Sequence, residues 1–273
     1  MRPIRIPACI QQHNQPKEVL QGSVAGIRVQ LQRMHSATPD VSIVIPAYNE
    51  AENILKTLSS LAATTTQKTV EIIVVNNNSQ DETEALSIST GATCITETTQ
   101  GITPARNAGL RQAAGKYVLN ADADTLYPPD WIDRMLEPLH HDHIALVYGT
   151  FAFLPTSGVP RLLFVAYEYA SDVSKWINKH FREEAVNIYG FNSGFRKTEG
   201  LAVDCFNHPP GTNEDGWLGV KLRDKFQKVF SHVTHPKAIV WTTDRRIQLD
   251  GGMLKGIAKR LKRHASMLSE SYK

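Results

Sequence analysis

Short apolar runs alternate with amphipathic segments through the first half of the chain. Residues 41–46 and 71–75 are almost entirely apolar and mostly β-branched, which is typical of parallel strands covered on both faces. Residues 92–96 form a weaker run and residues 116–121 a fourth one. We therefore predict four strands that belong to one buried sheet.

Between these strands, apolar residues recur at the spacing of an α-helix. Residues 54–61 carry an apolar stripe, behind a capping box that Asn49 and Glu52 would form. A second helix is predicted after Ser79, and residues 104–114 predict a third with Pro in its first turn. This alternation predicts an α/β protein with a Rossmann-like, mostly parallel central sheet flanked by helices, in a single main domain.

The second half of the chain continues the α/β pattern. Its predicted elements are a helix at 130–139, a strand at 144–153, a long helix at 161–177 and a last strand at 237–243. Glu168 and Asp172 interrupt the apolar face of the long helix, which favours a core or lid role over insertion into a bilayer.

The two ends of the chain differ from this body. Residues 1–39 show no sustained period and predict a partly disordered extension. Residues 248–273 predict a basic amphipathic helix, which would either dock on the body or attach peripherally to anionic lipid through residues 251–273. The main domain is thus expected at 40–247, with a nucleotide-binding half at 40–127 and an acceptor-binding half at 128–247.

Composition narrows the function classes. The formal charge of +3 divides into +4 on residues 1–39, +6 on residues 245–273 and −7 on the remainder. An acidic body argues against nucleic acid as a partner. Cys9, Cys94 and Cys205 form no CxxC pair, and no apolar run reaches about 18 residues, so a reduced, cytoplasmic location is predicted.

Polar clusters follow three of the predicted strands, at 48–50, at 76–79 and at Asp122 and Asp124. Ligands of open parallel sheets bind beyond the carboxyl ends of the strands, so the clusters should converge on one pocket. Two aspartates that are two residues apart can hold a hard divalent cation, Mg²⁺ or Mn²⁺. An isolated Asp-x-Asp would more simply cap a turn, and the accompanying clusters favour the metal site.

Five motifs occur in a fixed order: Pro46-Ala-Tyr-Asn-Glu50, Asn76 to Asp81, Gly101 to Gly109, Asp122-Ala-Asp124 and Glu214-Asp215. In this combination the chain resembles the inverting glycosyltransferases of family 2, which have the GT-A fold. The resemblance covers about residues 41–247. It implies that Asp122 and Asp124 hold a metal on the diphosphate of a nucleotide sugar. It also implies that Asp215 is the catalytic base, with Glu214 beside it; read alone, both acids would simply favour a helix N-terminus.

The resemblance also implies a nucleotide-sugar site, whose expected residues are Pro46, Ala47, Tyr48, Glu50, Asn77, Arg106, Asp122, Ala123, Asp124, Arg245 and Arg246. Family members commonly carry acids at the positions of Asn76 and Asn77. A UDP-sugar is the expected donor, and guanine and thymine nucleotides stay open. The arginines would add positive charge near the diphosphate, although an arginine is exposed by default.

A hydroxyl acceptor is expected next to Asn192, Ser193, Gly194 and Trp217, although Trp217 could equally belong to the core. The Gln-x-x-Arg-Trp signature of processive members is absent, which favours transfer of a single sugar. His232 or His235 could supply a further metal ligand. A sugar-phosphate nucleotidyltransferase would need a Gly-rich loop after the first strand, where PAYNE stands instead. A non-catalytic nucleotide-sugar-binding relative is the remaining alternative.

Overall fold

The computed structural model describes residues 2–156 and 158–249, with the backbone alone at residue 246. Ten strands lie in this part of the chain: β1 (Val41–Ala47), β2 (Val70–Asn76), β3 (Thr93–Thr96), β4 (Tyr117–Asn120), β5 (Thr125–Leu126), β6 (Ile144–Gly149), β7 (Phe151–Leu154), β8 (Ser193–Arg196), β9 (Val229–Val233) and β10 (Val240–Thr243). The first four are the strands predicted from the apolar runs.

Seven of these strands form the central sheet, in the order β3-β2-β1-β4-β8-β6-β9. Every neighbouring pair is parallel except the two that include β8, which runs antiparallel to β4 and to β6. The mostly parallel α/β architecture is thereby confirmed. The carboxyl ends of β1, β2, β4, β6 and β9 consequently lie along one edge of the sheet, where ligands of such sheets bind.

The helices are α1 (Ala8–Gln11), α2 (Lys17–Gln21), α3 (Val24–Met34), α4 (Ile54–Ala62), α5 (Thr83–Ser89), α6 (Ile102–Gln112), α7 (Trp131–Leu136), α8 (Arg161–Phe181), α9 (Lys197–Ala202), α10 (Glu214–Phe226) and α11 (Arg245–Leu249). They cover both faces of the sheet. On β1, Ile43 and Ile45 face the core beside α4 and α7, whereas Val44 faces the core beside α6 and α10. This alternation explains why the predicted strands are apolar on both sides.

The predicted strand 144–153 is in fact two strands in two sheets. β6 pairs in the central sheet, whereas β7 pairs with β10 in a second sheet of order β5-β10-β7. Thr150 lies between them, and its carbonyl accepts a 2.9 Å hydrogen bond from the side chain of Asn192. The apolar run gave no sign of this break, because both strands are buried along their whole length.

The N-terminal segment differs from the partly disordered extension expected there. It forms α1, α2 and α3, and Leu20, Ile27 and Leu31 enter the core beside α4. Each helix has 11 residues or fewer and buries only one or two side chains, so no period accumulates in the sequence. Arg2 is also buried and forms an ion pair with Asp172 on α8.

The predicted capping box at Asn49 is wrong, because α4 begins only at Ile54. Asn49 has a positive φ of 53°, and its side-chain oxygen accepts a 2.8 Å hydrogen bond from the amide of Gln80. The Asn49 amide in turn donates to Ser79 Oγ at 3.0 Å. The loops after β1 and β2 are thereby joined at the sheet edge.

Within the described ranges, no helix combines the length and the apolar character that crossing a bilayer requires. The basic helix expected at the C-terminus, and with it the lipid contact of residues 251–273, lies outside the described residues from position 250 onward.

Candidate active site

Asp122 and Asp124 follow β4 directly, in a loop fixed by its backbone. Thr57 Oγ1 donates to the carbonyls of Ala123 and Thr125, at 2.8 and 3.0 Å. The Asp122 amide donates to the hydroxyl of Tyr127 at 2.9 Å. Both carboxylates are therefore held in place at the edge where the strands end, with side-chain exposures of 20% and 13%.

Arg106 lies beneath this loop and is almost completely buried. Its Nη2 donates to Asp122 Oδ1 at 2.8 Å and to the carbonyl of Gly190 at 2.7 Å, and its Nη1 donates to the carbonyl of Ala121 at 3.1 Å. Its guanidinium is already engaged inside the protein, and its contact with the nucleotide sugar stays a prediction. It is a buried cation that neutralises carboxylates from below.

Asp215 lies in the first turn of α10, where the side chain of Asn213 caps the helix by accepting from the Gly216 amide at 2.7 Å. Asp215 Oδ1 is 4.0 Å from Arg106 Nε, and neither atom has a hydrogen-bond partner among the described residues. Burial, followed by the adjacent Glu214, raises the pKa of Asp215 well above its usual range. The structure thus brings Asp215 to the same buried cation as Asp122.

Gly190 fits between these groups, and no larger residue would. A Cβ placed there would lie 2.4 Å from Arg106 Nη2 and 2.5 Å from Asp215 Oδ2. The missing side chain lets the carbonyl of Gly190 reach Arg106 while Asp215 packs against the same backbone. The residues predicted nearby from the sequence were 192–194, and Gly190 was not among them.

Asp124 faces a second cation, Arg245. Asp124 Oδ2 accepts from Thr243 Oγ1 at 2.8 Å and lies 3.4 Å from Arg245 Nη2. Arg245 also forms an ion pair with Glu50. Burial first, and then the negative charges of Asp122 and Glu50, raise the pKa of Asp124 to about 6. The side chain of Arg246 lies outside what the structure describes.

The residues present fit a divalent cation that is shared with a ligand. Among residues 2–156 and 158–249 no three His, Cys, Asp or Glu side chains form a ready-made metal site. Asp122 Oδ2 and Asp124 Oδ1 are free of hydrogen bonds from the described residues, so both oxygens are available to a cation. Two carboxylates together with phosphate oxygens and water are a donor set that Mg²⁺ or Mn²⁺ accepts.

On the nucleoside side, Tyr48 is 52% exposed just beyond the end of β1, whereas Ala47 is buried and Pro46 half-buried. Asn77 is buried, and its amide is fully used. It donates to the carbonyls of Glu97 and Thr99 at 2.8 and 2.7 Å and accepts from the Gly101 amide at 2.8 Å. Asn77 therefore shapes the loop after β3, and its contact with the nucleotide stays a prediction.

The acceptor residues expected at 192–194 are interior residues of the sheet. Asn192 accepts from Trp131 Nε1 at 2.8 Å, Ser193 accepts from the Asn120 amide side chain at 3.0 Å, and all three residues are buried. These contacts hold β8 against its neighbours, and a contact of residues 192–194 with the acceptor stays a prediction. Trp217, half-buried two residues after Asp215, stays a predicted acceptor contact.

The predicted histidine ligands lie elsewhere. His232 stacks on Tyr148 with ring centroids 4.6 Å apart, and its Nε2 is 3.3 Å from Thr150 Oγ1. His235 accepts from the amide of Lys237 at 3.2 Å. In contrast, Thr243 and Tyr127 hold the aspartate loop and were not predicted, because the pairing of β10 beside β5 leaves no local signal in the sequence.

Comparisons with known proteins identify the family of the chain. The model of the family described as Glycosyl transferase family 2 matches residues 42–198. Glycosyltransferase AglE of Haloferax volcanii is 31% identical over 173 residues, which cover 58% of this chain and 57% of AglE. The chain thus spans little more than half the length of AglE, and less of the other curated relatives that follow it.

Two solved structures share the fold. A mannosyltransferase from Pyrobaculum calidifontis, in complex with GDP-Man and Mn²⁺, superposes with a TM-score of 0.57 at 18% identity, over 90% of this chain and 75% of that one. Staphylococcus aureus TarS, in complex with UDP-GlcNAc, gives a TM-score of 0.56 at 19% identity, over 83% of this chain and 73% of that one. At these identities the likeness concerns the fold alone.

Proposed function

The chain belongs to glycosyl transferase family 2, and from this premise we propose that it transfers a single sugar from a nucleotide-sugar donor to a hydroxyl acceptor, with inversion at the anomeric carbon. Its GT-A fold, expected from the order of the motifs, is confirmed by the structures that superpose on it. The observation that carries the proposal is the arrangement of Asp122 and Asp215 on either side of the buried Arg106.

Asp215 is the proposed base. A hydroxyl that attacks the anomeric carbon must lose its proton, and general-base catalysis typically contributes a factor of about 10²–10⁴ in rate. Because burial raises the pKa of Asp215, its carboxylate holds a proton more strongly than an exposed aspartate would. Arg106 lies close enough to stabilise the charged form of Asp215 without a hydrogen bond to it.

Asp122 and Asp124 are the proposed donor side of the site. A divalent cation held by both aspartates would supply Lewis-acid stabilisation of the departing diphosphate. Arg245 is 44% exposed at its side chain and is the described cation best placed to contact the phosphates directly. Tyr48 offers an exposed ring on which a nucleobase can stack. A UDP-sugar remains the first donor to test, with GDP- and TDP-sugars beside it.

The experiment is a thermal-shift panel of these nucleotide sugars, with and without Mn²⁺, followed by an assay for release of the nucleoside diphosphate. A ligand that binds only the folded protein raises its melting temperature. We expect one donor to raise it more with Mn²⁺ than without, and the same donor to be consumed. If a donor raises the melting temperature but is not consumed with any acceptor, the result favours a non-catalytic nucleotide-sugar-binding protein. If no nucleotide sugar raises the melting temperature, both the transferase hypothesis and the binding hypothesis are overturned.

A further inference from the structure

A cavity of about 350 Å³ opens at the sheet edge formed by the carboxyl ends of the parallel strands, towards the β9 end of the sheet. Thr150 and His232 line it at the carboxyl ends of β6 and β9, and α8 forms the opposite wall. Asp122, Asp124 and Asp215 are not among the residues that line it. The cavity is therefore separate from the proposed active site.

The described lining of this cavity is cationic. Arg2, Lys175 and Lys179 carry positive charge, and Asp172 is the acid among the lining residues. Arg2 is paired with Asp172 through its Nε at 2.8 Å. Lys179, whose side chain is 41% exposed, lies 3.4 Å from Glu184, outside the cavity lining. Asp172 thus compensates Arg2 and Glu184 compensates Lys179, which leaves the positive charge of Lys175 without an acidic partner among the described residues.

Lys175 lacks the partner that a buried ammonium group requires. It is only 3% exposed, and its Nζ has no hydrogen-bond acceptor among the described residues. The ring centroids of Phe151 and Tyr189 lie 4.7 and 5.5 Å from Nζ, so part of the charge rests on aromatic faces. Such contacts leave the three N–H donors of the ammonium group unused.

The protonation states at neutral pH preserve this uncompensated charge. Burial lowers the pKa of Lys175 to about 8, which keeps the protonated form in excess at pH 7. Burial lowers the pKa of His232 to about 4, so its imidazole is neutral and contributes hydrogen-bonding atoms without charge. The cavity thus combines a fixed cation with neutral polar groups.

We propose that this cavity is a binding site for a phosphate monoester, whose oxygens accept hydrogen bonds from Lys175 and from the neighbouring polar groups of the lining. A phosphate monoester carries about −1.5 to −2 charges at pH 7, opposite in sign to the uncompensated charge of Lys175. The cavity is larger than one phosphate group, so part of the attached molecule enters with it. Binding here does not depend on glycosyl transfer.

The surface of α8 beside the cavity is apolar and exposed, which concerns whether the phosphate belongs to a lipid or to a soluble molecule. Tyr169 and Trp176, which line the cavity from α8, are 47% and 55% exposed, and Val173 between them is 59% exposed. An apolar helix face beside a cationic cavity suits the head group of a phosphorylated lipid as well as a water-soluble phosphate monoester. Both sources present the same chemistry to Lys175, and the experiment separates them.

The test compares the whole wild-type chain with Lys175→Met, without donor or metal. Glycerol phosphate, added at constant ionic strength, is expected to raise the melting temperature of the wild-type protein. Loss of the ammonium donor should weaken its apparent affinity by about tenfold or more, because a hydrogen bond from a charged group is removed. Lys116→Met, the same change on an exposed residue just before β4, should bind as the wild type does.

A second experiment tests whether the phosphate monoester belongs to a lipid. Cosedimentation is measured with phosphatidylcholine vesicles that contain phosphatidic acid, a lipid phosphate monoester, and with pure phosphatidylcholine. Binding that requires phosphatidic acid and falls in Lys175→Met, but not in Lys116→Met, supports a lipid source. A Lys175-dependent thermal shift by glycerol phosphate alone supports a soluble one. No binding in either arm, or equal binding by Lys175→Met, overturns the proposal.

Lys175→Met should fold, because it removes an unpaired buried charge and keeps a side chain of similar length. If Lys175→Met does not fold, Lys179→Met, at the exposed rim of the cavity, is tested in its place by thermal shift and by vesicle cosedimentation. Weaker binding of phosphate by Lys179→Met than by Lys116→Met supports the site, and equal binding overturns it. None of these measurements involves sugar transfer. A negative result for the phosphate site therefore does not affect the proposed function, and a negative result for sugar transfer does not affect the phosphate site.

Discussion

Asp122 and Asp215 lie against the same buried guanidinium group, that of Arg106. One carboxylate accepts a 2.8 Å hydrogen bond from Nη2, and the other lies 4.0 Å from Nε. A residue from the end of β4 and a residue from the start of α10 are thereby coupled through a third, from α6. The coupling makes Arg106 a positioning residue for both sides of the proposed reaction.

Arg106→Met should destabilise the protein strongly. The change leaves Asp122 and Asp215 without the cation between them and removes the donors to the Ala121 and Gly190 carbonyls. Breaking a buried ion pair typically costs about 3–5 kcal/mol. Urea unfolding followed by tryptophan fluorescence measures the loss. Arg111→Met, exposed on the same helix, should stay within about 0.5 kcal/mol of the wild type. Equal stability of the two variants would contradict the buried role of Arg106.

Asp215→Asn should separate stability from activity. Because burial raises the pKa of Asp215, its charge is costly in the folded protein, and the neutral amide should leave the free energy of unfolding unchanged or higher. Donor binding should persist, while turnover falls by about 10²–10⁴. Asp224→Asn, near the exposed end of the same helix, is the matched control and should retain full turnover. An Asp215→Asn variant as active as that control would remove Asp215 from its role as base.

Gly190→Ala tests the close packing beside the proposed base. The new methyl group would lie within 2.5 Å of Arg106 Nη2 and of Asp215 Oδ2, so one of them must move. Overpacking of this kind usually costs about 1–3 kcal/mol, and we expect turnover to fall with it. Gly26→Ala, in α3 with no atom within 4 Å of the new Cβ, should instead stabilise by about 0.5–1 kcal/mol. Similar effects at both positions would show that the contact at Gly190 is unimportant.

The fold was largely predictable because its strands carry their own signal. β1, β2 and β4 are apolar on both faces, and the polar residues that follow them mark the edge where ligands bind. The small sheet of β5, β10 and β7 was not predictable, since β5 has two residues and pairs with a strand from the far end of the chain.

The sequence named the acids of the candidate site, but it did not reveal the internal contacts of several other polar residues. A carboxylate at a strand end is costly to bury, so Asp122 and Asp124, together with the polar clusters after the other strands, indicated a function. Arginine and asparagine satisfy backbone carbonyls as readily as they bind ligands. Arg106, Asn77 and Asn192 were therefore assigned to ligands, whereas the structure uses them internally. Only the contacts of the folded chain distinguish the two uses.

The raised pKa of Asp124 predicts how metal binding depends on pH. Its pKa of about 6 in the metal-free folded protein means that a cation must displace a proton below that pH, at a cost of up to about tenfold in affinity per pH unit. The Mn²⁺-dependent rise in melting temperature should therefore be large at pH 7.5 and small at pH 5.

The same shift sets the stability of the metal-free protein. Because the folded pKa lies above the ordinary value of 3.8, the charged carboxylate destabilises the fold at pH 7.5, and the penalty disappears as the pH falls from about 6 towards 4. Asp124→Asn keeps an acceptor for Thr243 and should raise metal-free stability at pH 7.5 by up to about 3 kcal/mol, with a gain that shrinks at pH 5. It should also abolish the Mn²⁺ effect, which Asp130→Asn, in the loop before α7, should preserve. A Mn²⁺ effect that survives in Asp124→Asn, or that is the same at both pH values, would show that Asp124 does not hold the cation.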